Sequence, residues 1–341
     1  MTMSHPAGRT GERPNDRHSI AVTVGLPGSI EDEEKAIYRG QLNLLPPTPA
    51  SIALCEHAQR MVEEAFAPHD PRTAQHHLSV DDFVARAAAV KPRFIHDPQT
   101  RALQKQYLEE LGFDPARTFL DVPRMRVVSS DGYLTSGVGH KQPPHRDTWW
   151  SAPMQQIQFW LPVFAMSREC SMEFYPHYVE TGVENSSDDF NIYAWNARGR
   201  LKAAEHKQGE DKRGIPQPFA PLDHPAAVQV TLPVGGAVIF SANQLHATSD
   251  NVTGMTRFSI DFRIVDGDHV AQGLGALNVD NGSTGTALRD FRRMSDEAAL
   301  ADDVIAPYDI GDKPEDGILV FSSEVAERQK SERQDSPAPA G

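Results

Sequence analysis

Within residues 256–264, polarity alternates at every position from Arg257 onward, and this pattern constrains the fold of the chain more than any other. The apolar members are Phe258, Ile260, Phe262 and Ile264, and the polar members include Arg257, Ser259, Asp261 and Arg263. Because neighbouring side chains of a β-strand point to opposite faces, this strand has one apolar and one charged face. A buried arginine needs an anionic partner. We therefore expect a barrel strand with its apolar face against helices and an interior that binds an anion.

The order of predicted elements separates a helical front from a strand-rich remainder. Apolar residues recur at helical spacing over 51–66, with Ser51 as the predicted N-cap, and further helices are expected after Ser79 and over 98–111. Short strands are expected over 20–24, 124–128, 133–135, 156–161, 171–175, 228–232, 237–240 and 255–265. This order predicts a mainly β protein, an antiparallel β-barrel or jelly-roll core with flanking helices, backed by N-terminal α-helices.

The chain is expected to contain one domain over 46–325. Its predicted parts are a helical support over 46–120 and a core over 121–270, which is interrupted by a polar insertion over 184–227 with helical composition at 201–206. Residues 1–45 are predicted to form a partly flexible N-terminal arm. The tail over 326–341 is charged and ends in proline and alanine, and it is predicted to be disordered.

Charge and hydropathy exclude several classes of protein. The 33 basic and 47 acidic residues give a net charge of −14, which argues against a general binder of nucleic acid or anionic membranes. No apolar run approaches the roughly 18 residues of a membrane span, and the N-terminus lacks the apolar segment of a signal peptide. We expect a soluble, cytoplasmic protein in which Cys55 and Cys170 are reduced, buried thiols.

The segment around His145 and Asp147 offers an imidazole and a carboxylate two positions apart. On an extended chain, residues i and i+2 point to the same face, so both side chains can reach one metal ion. A further histidine, His246, follows the strand predicted over 237–240. Two histidines and one carboxylate form a facial triad that leaves positions open for substrate and dioxygen on Fe(II). On these residues alone, a surface turn at 145–147 and a structural role for His246 are the alternatives.

Thr248 and Arg257, which follow His246 in the sequence, indicate an anion-binding site. Thr248 follows it by two positions and Arg257 by eleven. The planar guanidinium of arginine matches a carboxylate in a bidentate pair. Taken alone, Arg257 fits a salt bridge with an acidic neighbour equally well.

Taken together, residues 124–265 resemble the Fe(II)/2-oxoglutarate-dependent dioxygenases, specifically the phytanoyl-CoA dioxygenase-like branch. The resemblance rests on His145-x-Asp147, His246, Thr248 and Arg257. It implies a double-stranded β-helix (jelly-roll) core in an oxygenase domain. It also implies that His145, Asp147 and His246 hold Fe(II), while Arg257 and Thr248 bind the far carboxylate of 2-oxoglutarate. Dioxygen and 2-oxoglutarate would be consumed with release of succinate and CO2.

The resemblance extends to further positions and fails at others. Gln158 resembles a residue that contacts 2-oxoglutarate in the family. Arg126, on the first barrel strand, could meet the inner carboxylate of 2-oxoglutarate. The polar face of an ordinary strand explains both residues as well. Related halogenases replace the metal-binding carboxylate by glycine or alanine, so Asp147 favours hydroxylation or a related oxidation. The chain departs from the family at Gly236, where aspartate is common, and at 175–178, where the family usually has Pro-Gly-Ser-His.

The substrate is the least constrained part of this interpretation. Trp149, Trp150, Trp160, Trp195 and Arg263 are candidate substrate contacts, although core packing is the more common role of tryptophan. No nucleotide-binding motif supports an acyl-CoA, so a small polar metabolite or biosynthetic intermediate is expected. The insertion over 184–227 is interpreted as a lid or as a dimer contact, which leaves both a monomer and a homodimer open. The alternative class is a non-catalytic, cupin-like metal-binding barrel that acts as a sensor or scaffold.

Overall fold

The computed structural model describes residues 20–139, 141–199, 214–312, 317–324 and 327. Within these ranges the chain forms mixed β-sheets with several helices. The strands are β1 Val22–Val24, β2 Leu42–Leu45, β3 Thr118–Leu120, β4 Arg124–Val128, β5 Ile157–Pro162, β6 Met172–Phe174, β7 Val228–Val230, β8 Ala237–Ser241, β9 His246–Thr248, β10 Arg257–Asp266 and β11 Arg292–Arg293. The helices are α1 Ile30–Tyr38, α2 Pro49–Phe66, α3 Val80–His96, α4 Pro98–Glu110, α5 Ile192–Ala194, α6 Gly267–Gln272 and α7 Asp302–Ile305.

The strands are divided between a large and a small sheet. The large sheet has eight strands in the order β1-β2-β8-β5-β10-β3-β11, with β4 also paired to β10. Its strand pairs are antiparallel except for the parallel pair β1 and β2. The small sheet has three antiparallel strands in the order β7-β6-β9. Strand β10 is the centre of the large sheet because it pairs with β3, β4 and β5.

The apolar face of β10 lies in the main hydrophobic core. Its members Phe258, Ile260, Phe262 and Ile264 are buried in one cluster with side chains of α2, α3 and α4. The rings of Phe159 and Phe262 stack with centroids 4.7 Å apart, and Tyr107 of α4 meets both rings edge-on. The alternation over 256–264 therefore separates this core from the polar face that carries Arg257 and Asp261.

Helix α2 begins earlier than the sequence pattern predicted. The N-cap is Thr48, whose side chain accepts a hydrogen bond from the amide of Ser51 at 3.2 Å. The predicted cap, Ser51, is instead the third helical residue, and its hydroxyl accepts from the amide of Thr48 at 2.8 Å. The assignment of Ser51 was wrong because Pro49 at the first helical position is compatible with a helix start.

Other predicted elements have mixed outcomes. Ser79 caps α3 as predicted, and the strand predicted over 124–128 is β4. The strand predicted over 133–135 is wrong. The turn at Asp131 and Gly132, both with positive φ, leads into a loop in which the amide of Leu134 donates to Ser129 Oγ at 3.0 Å. The helical composition at 201–206, residues 1–19 of the N-terminal arm and all of the C-terminal tail except residue 327 fall outside the described residues. The described part of the arm contains β1, α1 and β2.

Among the described residues, no helix is long and apolar enough to cross a membrane. The division into an arm, one domain and a tail stays a prediction.

We predict that Phe262→Ala destabilises the fold by about 3–5 kcal/mol, because it removes a buried ring and leaves a cavity. The measurement is urea unfolding followed by circular dichroism. The control is Val252→Ala at a side chain that is 63% exposed, and its unfolding free energy should change by no more than about 0.5 kcal/mol. Equal midpoints for the two variants would contradict the central position of β10.

Candidate metal centre

His145 and His246 are held opposite each other by their own backbones. The amide of His145 donates to the carbonyl of His246 at 2.9 Å, and the reciprocal bond is 3.0 Å long. The two residues form an isolated antiparallel bridge that places the imidazole centroids 4.3 Å apart. The chain then turns at Asp147 into the short 3-10 helix Asp147–Trp150. The segment over 145–147 is therefore extended at His145, as expected, but not at Asp147, where the chain turns.

The turn nevertheless brings the three predicted ligands together. His145, Asp147 and His246 each offer one ligand atom, and these atoms all lie within 4.8 Å of one another. His145 Nε2 lies 3.7 Å from Asp147 Oδ1. All three side chains are buried. This is an arrangement that can hold a metal ion.

The hydrogen bonds around the trio fit a metal ion. Nδ1 of His145 is 2.8 Å from the carbonyl of Pro143, and Nδ1 of His246 is 2.8 Å from the carbonyl of Gln244. A carbonyl only accepts, so each ring carries its proton on Nδ1 and keeps a lone pair on Nε2. Gln156 Nε2 donates to Asp147 Oδ2 at 3.3 Å, which leaves Oδ1 on the side of His145. The coordinating atoms are thus oriented without using up their lone pairs.

Burial sets the protonation of the trio. Desolvation, with repulsion from His246, lowers the pKa of His145 to about 3, and desolvation lowers the pKa of His246 to about 4. Both imidazoles are therefore neutral near pH 7, which is the form that binds metals. Desolvation raises the pKa of Asp147 to about 6. A divalent cation would supply the positive charge that this buried carboxylate needs.

Two cavities meet at the trio. The anchor cavity, of about 130 Å³, is bordered by Gln158, Trp160, His246, Thr248 and Arg257 among others. The outer cavity, of about 180 Å³, is bordered by Trp150, Gln156, Trp195, Asn196 and Leu319 among others. Both are bordered by Arg126, Gln142, His145 and Asp147. A metal held here would be reachable from two sides.

Arg257 enters the anchor cavity with unused hydrogen-bonding capacity. One terminal nitrogen donates to the carbonyls of Cys170 at 3.0 Å and Ser171 at 3.4 Å, and the guanidinium lies 5.3 Å from the ring centroid of Trp160. Its Nε is buried and has no hydrogen-bond partner among the described residues. Arg257 also forms no salt bridge with a carboxylate among the described residues. Burial lowers its pKa to about 10. A buried cation in this state favours an anionic ligand.

The other predicted cosubstrate contacts differ in the interactions that their side chains make within the protein. Thr248 is half-buried and borders the anchor cavity beside Arg257. Arg126 forms a bidentate pair with Asp261, with Nε 3.1 Å from Oδ1 and a terminal nitrogen 2.9 Å from Oδ2. Gln158 donates to the same carboxylate at 3.2 Å and accepts from Arg263 Nε at 2.9 Å. Arg126 and Gln158 are therefore held in a network with Asp261, although both border the anchor cavity.

The predicted substrate contacts separate into three places. Trp150 and Trp195 border the outer cavity and meet edge-on with centroids 5.4 Å apart, and Arg263 borders the same cavity. Trp160 borders the anchor cavity instead. Trp149 is fully buried and donates from Nε1 to Asp280 at 2.7 Å. It borders neither cavity, so the structure does not bring Trp149 to the site.

Sequence reasoning missed several residues of the site. Gln156 shares a strand face with Gln158 and Trp160 in the alternating pattern of 156–161. That pattern is the feature of the sequence that could have placed Gln156 at the site. Gln142 borders both cavities, and its buried Oε1 has no hydrogen-bond partner among the described residues. Leu319 belongs to a C-terminal apolar run that no motif marked.

A second trio of possible ligands lies elsewhere. Glu34, Asp266 and His269 are buried with ligand atoms within 4.8 Å of one another. Asp266 already accepts two backbone amides and pairs with Arg117 at 3.0 Å. Desolvation, with repulsion from Asp266, raises the pKa of Glu34 to about 8, and Tyr38 Oη is 3.1 Å from His269 Nδ1. These polar groups are already paired within the protein, and they connect α1 to α6. They therefore do not offer an open cation site.

We predict that wild-type protein binds one Fe(II) per chain under anaerobic conditions and that His246→Ala abolishes this binding, because a three-ligand site loses one ligand. The measurement is metal analysis after gel filtration, with circular dichroism to check the fold. The matched control is His269→Gln in the second trio, which should retain iron. Full occupancy in His246→Ala, or loss only in His269→Gln, would contradict the site.

No protein-family model and no curated protein matches this chain. Solved structures are similar to it at low identity. They include the apo form of the non-haem monooxygenase ThoJ, at 12% identity over 84% of this chain and 88% of that chain, with a TM-score of 0.39. EvdO2 from Micromonospora carbonacea var. aurantiaca, complexed with 2-oxoglutarate, has 13% identity over 71% and 93%, with a TM-score of 0.39. The non-haem α-ketoglutarate-dependent epimerase SnoN from nogalamycin biosynthesis has 16% identity over 69% and 82%, with a TM-score of 0.34.

Proposed function

We propose that this protein is an Fe(II)- and 2-oxoglutarate-dependent oxygenase that oxidises an unactivated C–H bond of a small polar metabolite or biosynthetic intermediate. The products would be the hydroxylated or otherwise oxidised substrate, succinate and CO2. The observation that carries the proposal is the position of the trio between two cavities, one of which contains a buried arginine without an acidic partner among the described residues.

The proposed fold of the core is a double-stranded β-helix. In support, side chains of the large and small sheets share a second hydrophobic cluster. Phe174 of β6 and Phe240 of β8 meet there edge-on, with centroids 5.0 Å apart. If the two sheets pack face to face in this way, the metal ligands would lie at one end of them, with β9 and the bridge at His145. The N-terminal helices would then support the large sheet from its outer face.

The anchor cavity is proposed to hold 2-oxoglutarate. One end of this dicarboxylate would lie at the metal and the other at Arg257 and Thr248. Arg257 would gain the charged partner that it lacks among the described residues, and a buried, hydrogen-bonded ion pair is far more favourable than a buried lone charge. Arg126 and Gln158 would act mainly by fixing the network around Asp261.

The protein's own residues have separate tasks in this proposal. When bound, Fe(II) and 2-oxoglutarate would supply the activation of dioxygen that oxidation of a C–H bond requires. His145, Asp147 and His246 would hold the metal, and Gln156 would fix the orientation of Asp147 through its hydrogen bond. Trp150 and Trp195 would exclude water from the outer cavity and orient the substrate.

The insertion over 184–227 is proposed to be a lid over the outer cavity. Its members Ile192, Trp195 and Asn196 border that cavity, and long insertions on rigid scaffolds often carry specificity. Arg198 is exposed. Two further basic residues of the insertion, Arg200 and Lys202, lie outside the described residues.

The proposal is tested by loading anaerobically purified protein with Fe(II), adding 2-oxoglutarate and dioxygen, and measuring succinate with and without a metabolite extract. Succinate that depends on iron and increases with the extract supports an oxygenase. Iron binding without any succinate would favour the alternative of a cupin-like sensor or scaffold.

We predict that Arg257→Gln weakens 2-oxoglutarate binding at least about 30-fold, since losing a buried charge-assisted pair costs about 2–5 kcal/mol. Calorimetric titration of the metal-loaded protein measures the affinity. The control is Arg168→Gln, at an exposed side chain that borders neither cavity, and its affinity should change little. Unchanged affinity in Arg257→Gln would assign the anchor to another residue, such as Arg263 or Arg126.

We predict that Trp195→Ala increases the consumption of 2-oxoglutarate that is not coupled to substrate oxidation, because the outer cavity becomes more open to water. The measurement is succinate formed per substrate oxidised. Phe219→Ala, at a side chain that is 69% exposed in the same insertion, is the control and should match wild type. Wild-type coupling in Trp195→Ala would remove the lid from the proposal.

A further inference from the structure

The C-terminal residues 317–321, Gly-Ile-Leu-Val-Phe, form an apolar run whose first residue contacts the insertion. Gly317 has a φ of +101°, and a Cβ placed there would lie 2.4 Å from the carbonyl oxygen of Tyr193. A side chain at this position is therefore opposed both by the backbone conformation and by direct contact. We name residues 317–321 the C-terminal strap.

Three contacts hold the strap across the outer cavity. Asn196 Nδ2 of the insertion donates to the carbonyl of Gly317 at 2.8 Å. The amide of Leu319 donates to Oδ1 of the buried Asp290 at 2.6 Å. The guanidinium of Arg101 in α4 lies 5.7 Å from the ring centroid of Phe321. The strap therefore connects Asn196 of the insertion to Asp290, and both residues border the outer cavity.

The exposure of the strap alternates along the chain. Gly317 and Leu319 are half-buried, whereas Ile318 is 45% and Val320 is 36% exposed. Leu319 faces inward and borders the outer cavity together with Trp195. Alternating exposure means that the strap presents one face to the protein, and Leu319 on that face forms part of the cavity wall.

We propose that the C-terminal strap is the outer wall of the substrate cavity and that Leu319 limits the size of the molecules that reach the metal centre. That this cavity binds a substrate rests on the proposed function, whereas the position of the strap at the cavity wall does not. Molecules that fit beneath Leu319 can enter with the strap in place. A larger molecule requires the strap to leave Asn196 and Asp290, which costs two hydrogen bonds and the buried contacts of Leu319.

The experiment measures access by cysteine labelling, so it needs neither iron nor a substrate. Cys55 and Cys170 are buried, and wild-type protein supplies the background rate. Ala287→Cys places a thiol on the cavity lining. Iodoacetamide serves as the small reagent and fluorescein maleimide as the large one. The labelling rates are compared in Ala287→Cys alone and in combination with Gly317→Ala, Asn196→Ala or Ile318→Ala.

We expect Gly317→Ala to raise the rate with the large reagent by at least about tenfold and the rate with the small reagent much less, because strap opening controls access. Asn196→Ala, which removes only one hydrogen bond, should act in the same direction. The outward-facing Ile318→Ala should match its parent, and circular dichroism should show all variants folded. Unchanged discrimination between the reagents in both Gly317→Ala and Asn196→Ala would overturn the inference. A labelling change without any succinate activity would refute the proposed function and leave the strap intact.

Discussion

The reciprocal pair of backbone hydrogen bonds between His145 and His246 is the interaction on which the site depends. It joins two segments that are far apart in sequence and fixes the distance between their imidazoles. Asp147 follows in a tight turn, so its carboxylate needs no long-range contact of its own to reach the same point. The Nδ1 atoms of both rings meet carbonyls next to the bridge, within two residues of each histidine. Backbone geometry therefore sets the position of both imidazoles and determines which ring nitrogen of each carries the proton.

The distribution of buried charge divides the polar face of β10 into two parts. Asp261 receives hydrogen bonds from Arg126, Gln158 and Arg263, so charge in the middle of the strand is compensated within the protein. Among the described residues, the guanidinium of Arg257, at the start of the strand, meets backbone carbonyls and an aromatic ring but no carboxylate. Compensated networks stabilise and rigidify a site, whereas an uncompensated cation favours an incoming anion. The same strand thus provides both scaffold and proposed anchor.

The sequence predicted what is encoded locally. The alternation over 256–264 correctly separated the core face from the polar face, and residue type with spacing selected the trio that the structure brings together. Contacts between distant segments that no motif marks could not be predicted. The bond from Trp149 to Asp280 takes that tryptophan out of the site, and the bond from Leu319 to Asp290 brings a C-terminal residue into it. The early start of α2 was missed because a proline there fits either a connector or a first helical turn.

The central claim is that one metal and one dicarboxylate occupy adjacent positions between the trio and Arg257. Crystals grown anaerobically with Fe(II) and 2-oxoglutarate, measured at the iron absorption edge, test it most directly. The account predicts a single anomalous peak between Nε2 of His145, Nε2 of His246 and the carboxylate of Asp147, with dicarboxylate density running from it to Arg257. Iron at Glu34, Asp266 and His269, or a dicarboxylate that leaves Arg257 without an anionic partner, would contradict it.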